Sequence, residues 1–331
     1  MQEKITVCLP VYNGADTVLQ TIHSVLNQTF IDFEFIIVDN VSTDATFDII
    51  SSVKDERIKI YVNEENKGCG GNLEECKKRA TGDILFYICA DDVVDRDALK
   101  KIHSAFCISE DISMVIRPYY WFEEDVSKPV RITRQFSEEQ IVSINDSYDK
   151  IVDVIALADQ ISGVAFRKKY MNFQFKNGYF MEMPSMVASM LKNHKTVILK
   201  DNIVAVRIGA SGALNPIVYK KSPLMSWYNL ITTTYSEKKF SGLKKHLIHN
   251  FIAKNYIGLV QIKNFGSYTA LFKEIVYMVK LRWKNILTFQ FWIFSVGTMI
   301  IPRFILRKLV VFYKNKINST LLKNIKPIKI V

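Results

Sequence analysis

Cysteine is scarce in this chain: five in 331 residues, Cys8, Cys69, Cys76, Cys89 and Cys107, all in the first third. The number is odd, no pair stands in C-x-x-C spacing and no histidine clusters beside them, so neither a zinc site nor a disulfide framework is supported. Reduced thiols in the cytosol are the expectation. His23, His103, His194, His246 and His249 are scattered over helical patterns without motif context and read as surface or packing residues. No signal-peptide pattern precedes the first apolar run, so the catalytic part is expected to face the cytoplasm. No repeat or low-complexity block is present. There is no G-x-x-x-x-G-K-[ST] loop, and the pair Gly68 and Gly70 lacks a third glycine at position 73, which is Leu73, so the P-loop and the dinucleotide fingerprint are both excluded. The most apolar stretch, Ile286 to Ile301, falls short of the roughly 20 residues that span a bilayer and ends at Pro302 and Arg303; a full crossing is not favoured.

What is present is a globular composition, 49% hydrophobic and 23% charged, which excludes disorder as the dominant state. The net charge of +11 is divided unevenly. Residues 1 to 214 carry 24 Lys and Arg against 31 Asp and Glu, a balance of −7, whereas residues 215 to 331 carry 20 against 2, a balance of +18. Only the second part therefore calls for an anionic partner, either phosphate backbone or membrane headgroups.

Short apolar runs alternate with helical patterns through the first hundred residues. Ile5–Leu9, Phe35–Val38, Ile58–Val62 and Ile84–Ile88 read as buried strands; Asp16–Gln28, Asp44–Val53, Asn72–Arg79 and Arg96–Phe106 read as helices. Met114–Ile116 follows as a strand. This rhythm predicts an α/β fold, a mostly parallel sheet flanked by helices, with binding at the carboxyl ends of the strands. Residues 118 to 145 read as loops and short strands. Tyr148 onward is helical, Val164–Phe166 is a strand, Glu182–Leu191 is a helix, and Thr196–Leu199 and Ile203–Arg207 are strands that close the domain. A boundary is expected near 214 and 215, dividing residues 1–214 from a basic helical segment, 215–331.

Acidic residues stand where strands end. Asp39 follows Phe35-Ile36-Ile37-Val38, and Asp91 and Asp92 follow the strand ending at Ile88. Carboxylates at neighbouring strand ends can converge on one crevice, where one accepts from a base and another holds a divalent cation through hard oxygen ligands. Each alone is equally a turn residue or helix cap. Lys67-Gly68-Cys69-Gly70-Gly71-Asn72 precedes a helix, so its backbone N–H groups can meet a phosphate or a sugar.

The successive segments Val7-Cys8-Leu9-Pro10-Val11-Tyr12-Asn13-Gly14, Ile37-Val38-Asp39-Asn40-Val41-Ser42-Thr43-Asp44, Asn66-Lys67-Gly68 with Asn72, and Cys89-Ala90-Asp91-Asp92 resemble, in order and spacing, the signatures of family 2 glycosyltransferases of the Rossmann-like GT-A fold, of the kind that build bacterial polysaccharide or lipopolysaccharide. The likeness is strong over residues 4 to about 105 and weaker to about 212. It implies a nucleotide-sugar site in which Pro10, Tyr12 and Asn13 line the nucleotide, Asp39 accepts from the base, and Gly68, Asn72 and Ala90 belong to the same pocket. Asp91 is then the ligand of Mn2+ or Mg2+ on the diphosphate, and Asp92 orients the donor or a metal-bound water. Two departures stand out: Cys89 occupies the first position of the usual Asp-x-Asp, and Gly71 replaces an Arg that commonly precedes the matching Asn. Glu182, opening a helix after Gly178-Tyr179-Phe180-Met181, resembles the family's Glu-Asp motif with Met183 in place of the Asp, and is the implied general base. A helix-start carboxylate stabilised by the macrodipole is the competing reading. Arg207 with Ser211 resembles the Arg-x-x-x-Ser ending of the catalytic domain and implies a diphosphate or acceptor contact, or a structural role.

The resemblance thus implies an inverting transferase that moves a sugar from a nucleotide-diphosphate donor, by family habit a UDP-sugar, to a glycan or lipid-linked glycan. Residues 220 to 331 interleave Lys and Arg with Trp, Tyr, Phe, Leu and Ile, as in Leu281-Arg282-Trp283-Lys284, a composition that suits an anionic membrane surface better than nucleic acid, with a plain helical domain bearing a solvated basic face as the other reading. A peripheral enzyme on the inner face of the plasma membrane is expected, its oligomeric state left open. Two alternatives remain: a sugar nucleotidyltransferase, which usually carries a basic Gly-rich first loop absent here, and a non-catalytic sugar- or lipid-binding relative, which Cys89 and Gly71 would suit.

Overall fold

The computed structural model describes residues 3–175, 181–208, 216–313, 322 and 325–330. The chain forms two compact units, residues 1–209 together with 324–331, and residues 210–323. The last eight residues therefore belong with the first unit, although the charge pattern groups them with the basic segment.

The first unit opens as the periodicity predicts: β1 (Ile5–Val11), α1 (Val18–Leu26), β2 (Phe33–Asp39), α2 (Thr46–Ser52), β3 (Ile58–Val62), α3 (Gly68–Arg79) and β4 (Ile84–Tyr87). It continues through β5 (Val93–Val94), α4 (Ala98–Phe106), β6 (Ile112–Ile116), β7 (Tyr120–Phe122), β8 (Arg131–Ile132), β9 (Gln140–Val142), α5 (Tyr148–Leu157), β10 (Ala165–Arg167), α6 (Glu182–Leu191), β11 (Lys195–Ile198) and β12 (Val204–Arg207). The main sheet has eight strands in the order β3-β2-β1-β4-β10-β6-β11-β9. β10 and β9 run antiparallel to their neighbours and the rest are parallel. Strands covered on both faces are apolar throughout, which is why β2 is buried along its whole length. β1 lies between β2 and β4 in a register that pairs Val11 with Asp39.

A second sheet of four short strands, β5-β12-β7-β8, takes β7 and β8 from the stretch that showed no period and β12 from the strand read at Ile203–Arg207. Strands of two or three residues, as in β5, β7 and β8, leave too little pattern to read. One further difference concerns the glycines at 68 to 71, expected as a loop. The helix begins at Gly68, whose φ of +68° makes the turn, and Gly70 lies buried in the first turn of α3. Asn66 fixes the entry by accepting from the Gly68 N–H at 2.9 Å.

The second unit is helical: α7 (Pro223–Thr234), α8 (Ser241–His246), α9 (Ile257–Phe265), α10 (Tyr268–Leu281), α11 (Phe289–Ile300) and α12 (Arg303–Phe312). Ser222 caps α7, its hydroxyl accepting from Met225 N, with Pro223 in the first helical position. Asn285, fully buried, is hydrogen-bonded to the carbonyls of Ala253 and Met278 and to the hydroxyl of Tyr256. The apolar stretch 286–301 is interrupted at Thr288, and the 12-residue α11 that follows is about 18 Å long. Among the described residues no helix is long and apolar enough to cross a membrane.

Candidate active site

The carboxyl ends of β1, β2 and β4 each carry a loop, and polar side chains lock those loops to one another. Asn13, just beyond β1, has φ +51°, a conformation asparagine tolerates. Its side-chain oxygen accepts from Thr43 N at 2.8 Å, and its own backbone N–H donates to Ser42 Oγ at 2.9 Å. Ser42 in turn donates through both its amide and its hydroxyl to Asp39, which is almost fully buried. Asp39 thus holds the loop after β2 against the loop after β1. Tyr12 stands half-exposed beside them and Pro10 is partly buried in β1.

Gly14 brings the third loop into place. A Cβ at Gly14 would lie 3.2 Å from Val11 Cγ2 and 3.3 Å from Ala90 Cβ, so a side chain there would press on the turn after β4. Within that turn the ligand atoms of Cys89, Asp91 and Asp92 all lie within 4.8 Å of one another, yet their surroundings differ sharply. Asp92 is fully buried, and both of its oxygens are taken: Oδ1 accepts from Arg207 N at 2.9 Å, Oδ2 from Gln160 Nε2 at 2.9 Å and from the Ser162 hydroxyl. Asp91 is partly exposed, and among the described residues no other residue donates to its carboxylate in the hydrogen-bond network. Burial raises the pKa of both acids, and for Asp92 the neighbouring charge of Asp91 adds to the effect. Burial and the two aspartates push the Cys89 thiol well above its ordinary value, which keeps it protonated and unsuited to ligate a hard cation.

Asn72 is placed differently from the expectation. It is buried, donating to the carbonyls of Val38 at 3.0 Å and Val11 at 3.4 Å, while its oxygen accepts from Asn63 Nδ2 at 3.0 Å. Asn63 also donates to Asn40, and Asn40 to Asn66 and to the carbonyl of Gly68. Four asparagines thus tie the ends of β1, β2 and β3 to the start of α3. Arg207 is likewise engaged by the protein: its guanidinium donates to the carbonyls of Asp91 and Glu123 and to the Gln20 side chain, and lies over the Phe122 ring at 4.5 Å. Ser211 and the segment Gly178–Phe180 lie outside the described residues.

Glu182, the first residue of α6, is 9% exposed. It stands close enough to Cys69, in the first turn of α3, that its charge adds to burial in raising that thiol's pKa to about 11. Cys69 in turn adds to the raised pKa of the Cys89 thiol, after burial and the two aspartates.

Ser162 and Gln160 were not foreseen. They lie some seventy residues from the turn they hold, where Ser162 also accepts from Cys89 N at 2.8 Å. Their loop is shaped from beneath by the fully buried Arg117, which donates to the carbonyls of Leu157, Gln160 and Ser162. No local spacing announces such a contact. Ser42, by contrast, is legible in Asp39-Asn40-Val41-Ser42 as a side-chain-closed turn.

Three comparisons with known proteins bear on this arrangement. The model of glycosyl transferase family 2 matches residues 6–173. The chain is 34% identical over 136 residues to the UDP-Glc:alpha-D-GlcNAc-diphosphoundecaprenol beta-1,3-glucosyltransferase WfaP of Escherichia coli, covering 41% of this chain and 51% of that one. The matched part spans between 39% and 65% of the length of the first curated relatives. Among solved structures, S. aureus TarS 1-349 in complex with UDP-GlcNAc superposes with a TM-score of 0.62 at 16% identity, covering 93% of this chain and 92% of that one. The mannosyltransferase PcManGT of Pyrobaculum calidifontis, in complex with GDP-Man and Mn2+, does so at 0.53 and 14% identity, over 91% and 88%. These likenesses establish the fold, a GT-A-like, mostly parallel α/β sheet with a helical C-terminal region.

Proposed function

We propose that this chain, which belongs to glycosyl transferase family 2, is an inverting glycosyltransferase that moves a sugar from a UDP-sugar to a glycan or lipid-linked glycan acceptor in surface-polysaccharide synthesis. The observation that carries the reading is the contrast within one turn: Asp92 is saturated by protein donors while Asp91, beside it, has its carboxylate left for a ligand. That donor set fits a divalent cation held by one carboxylate together with phosphate oxygens. Bound there, Mn2+ or Mg2+ would offset the charge that develops on the departing diphosphate. The Mn2+ in the mannosyltransferase complex and the UDP-sugars of the WfaP and TarS relatives support the choice of cofactor and donor.

In this reading Asp39 accepts from the base, and Pro10, Tyr12, Asn13, Gly68 and Ala90 line the nucleotide. Asn72, Asp92 and Arg207 act by holding these loops rather than by touching the donor. Glu182 removes the proton from the acceptor hydroxyl as that oxygen attacks the anomeric carbon. The bond from that carbon to the diphosphate breaks, its electron pair leaves with UDP, and the configuration inverts.

The second unit supplies a membrane-facing surface in the same proposal. On α11 the polar Ser295 and Thr298 are buried, whereas Phe289 is 81%, Trp292 49%, Ile293 51% and Ile300 74% exposed. At helical spacing these make one apolar face, and Arg303, Arg307 and Lys308 follow on α12. An apolar face with basic neighbours fits a shallow seat in an anionic leaflet, where a lipid-linked acceptor would be met.

Transfer from UDP-sugars with Mn2+, compared between the intact chain and Asp91→Ala, tests both parts of the reading: no turnover by the intact chain removes the enzyme, and equal turnover in both removes the cation site at Asp91. Flotation with vesicles containing anionic lipid tests the surface, and an unchanged bound fraction in Ile293→Glu would contradict it.

A further inference from the structure

The C-terminal segment 325–330 rejoins the first unit beside the small sheet. Ile328 packs in a cluster with Val93, Tyr120, Phe122, Val126 and Ala205, and Ile325 and Ile330 lie against the same cluster. The main chain is held as well: Lys329 N donates to Asp95 Oδ2 at 2.8 Å, Arg96 N donates to the Lys329 carbonyl at 2.7 Å, and Ile328 N donates to the Tyr120 hydroxyl at 3.2 Å.

These contacts fall on the structural support of the turn at Asp91. Val93 and Val94 form β5, which follows Asp92 directly and pairs with Val204 and Ala205 of β12. β12 then delivers the Arg207 N–H to Asp92 and the Arg207 guanidinium to the carbonyl of Asp91. Asp95, gripped by the tail, also takes a hydrogen bond from Gln28 through its carbonyl and donates its N–H to Ile203. The tail therefore covers the apolar side of the small sheet and pins the chain on the far side of β5 from the proposed cation ligand.

We infer that residues 325–330 are a positioning segment of the proposed site, with Ile328 and Lys329 holding β5 and β12 so that the turn 89–92 keeps its form. The inference rests on the transferase reading for its consequence in catalysis, but the ordering of the turn does not. A ligand-free measurement therefore decides it.

Hydrogen exchange of the full-length chain, compared with full-length Lys329→Pro and Ile328→Asp, provides that measurement. Lys329→Pro removes the N–H that Asp95 accepts and leaves the apolar residues intact. Ile328→Asp places a charge in the cluster. In each, exchange over residues 89–96 and 203–207 is expected to quicken by at least about tenfold, with β2 at 33–39 unchanged. Protection of 89–96 equal to that of the parent chain in both variants overturns the inference, and so does uniform quickening that includes 33–39, which would mark a general loss of fold. Mn2+-dependent UDP binding, followed separately by thermal shift, reports on the transferase reading alone.

Discussion

Replacing each of the two adjacent aspartates by alanine should separate stability from ligand binding. Asp92→Ala strips the acceptor from three donors, Arg207 N, Ser162 Oγ and Gln160 Nε2. Ser162 is fully buried, and a buried donor left without a partner costs about 1–3 kcal/mol; Arg207 and Gln160 are half-buried, so their donors recover water in part and cost less. Set against this is relief from burying a carboxylate, so a net loss of about 3 kcal/mol is expected. Asp91→Ala removes a carboxylate to which no other described residue donates a hydrogen bond and whose charge burial disfavours. Its stability should stay within about 0.5 kcal/mol of the parent. Ligand binding should divide the other way. UDP and Mn2+ at about 100 times their dissociation constant would stabilise the parent chain by about 2.7 kcal/mol, and Asp91→Ala should lose most of that increment. Urea denaturation followed by tryptophan fluorescence, with and without UDP and Mn2+, reads both quantities. Equal destabilisation by the two substitutions, or an Asp91→Ala chain that keeps the full ligand increment, would refute the division of labour.

Three further outcomes follow. Glu182→Gln should abolish sugar transfer while leaving UDP binding within about twofold, because an amide cannot take a proton from the acceptor; retained turnover in a steady-state assay removes the base assignment. Glu34 should make stability fall in acid. Burial opposes its ionisation, but hydrogen bonds from Lys59, Thr6 and Thr81 outweigh that and lower its pKa to about 2. Since the folded value lies below the unfolded one, the stabilisation is complete above about pH 4.5 and is lost as pH falls toward about 2; discounted for the half-exposed Lys59 it amounts to about 2 kcal/mol, and urea titrations of Glu34→Gln should show that part of the acid slope removed. Gly163→Ala should destabilise by roughly 2–4 kcal/mol in the same titration, since φ is +85° and a Cβ would come 2.5 Å from Val204 Cγ2 and 2.7 Å from Arg117 Nε.

The first hundred residues are legible because their strands are covered on both faces and read as unbroken apolar runs between amphipathic helices. Ile58–Val62 and Glu182–Leu191 have the bounds their patterns predict, and other elements differ by a residue or a few at their ends. β12 was legible as Ile203–Arg207, but its partners β5 and β7 were not, since pairing with β12 across a hundred or so residues holds them rather than any period of their own. The asparagines and aspartates at the strand ends were visible as residue types, but their partners were not. Asp91 and Asp92 look alike in sequence and differ only through Gln160, Ser162 and Arg207. The return of Ile328 to Tyr120 likewise spans more than two hundred residues, and the basic composition around it points elsewhere.

The asparagine lattice at the ends of β1, β2 and β3 has a chemical consequence. Asn40, Asn63, Asn66 and Asn72 carry no titratable group, so the frame that presents Asp39 keeps its form at any pH the rest of the fold survives. The same frame depends on its amides staying amides. Deamidation of Asn72 would set an anion against the carbonyl oxygens of Val11 and Val38, where an amide now donates, and the strand tips would be driven apart without any change in the amino acids that touch a nucleotide.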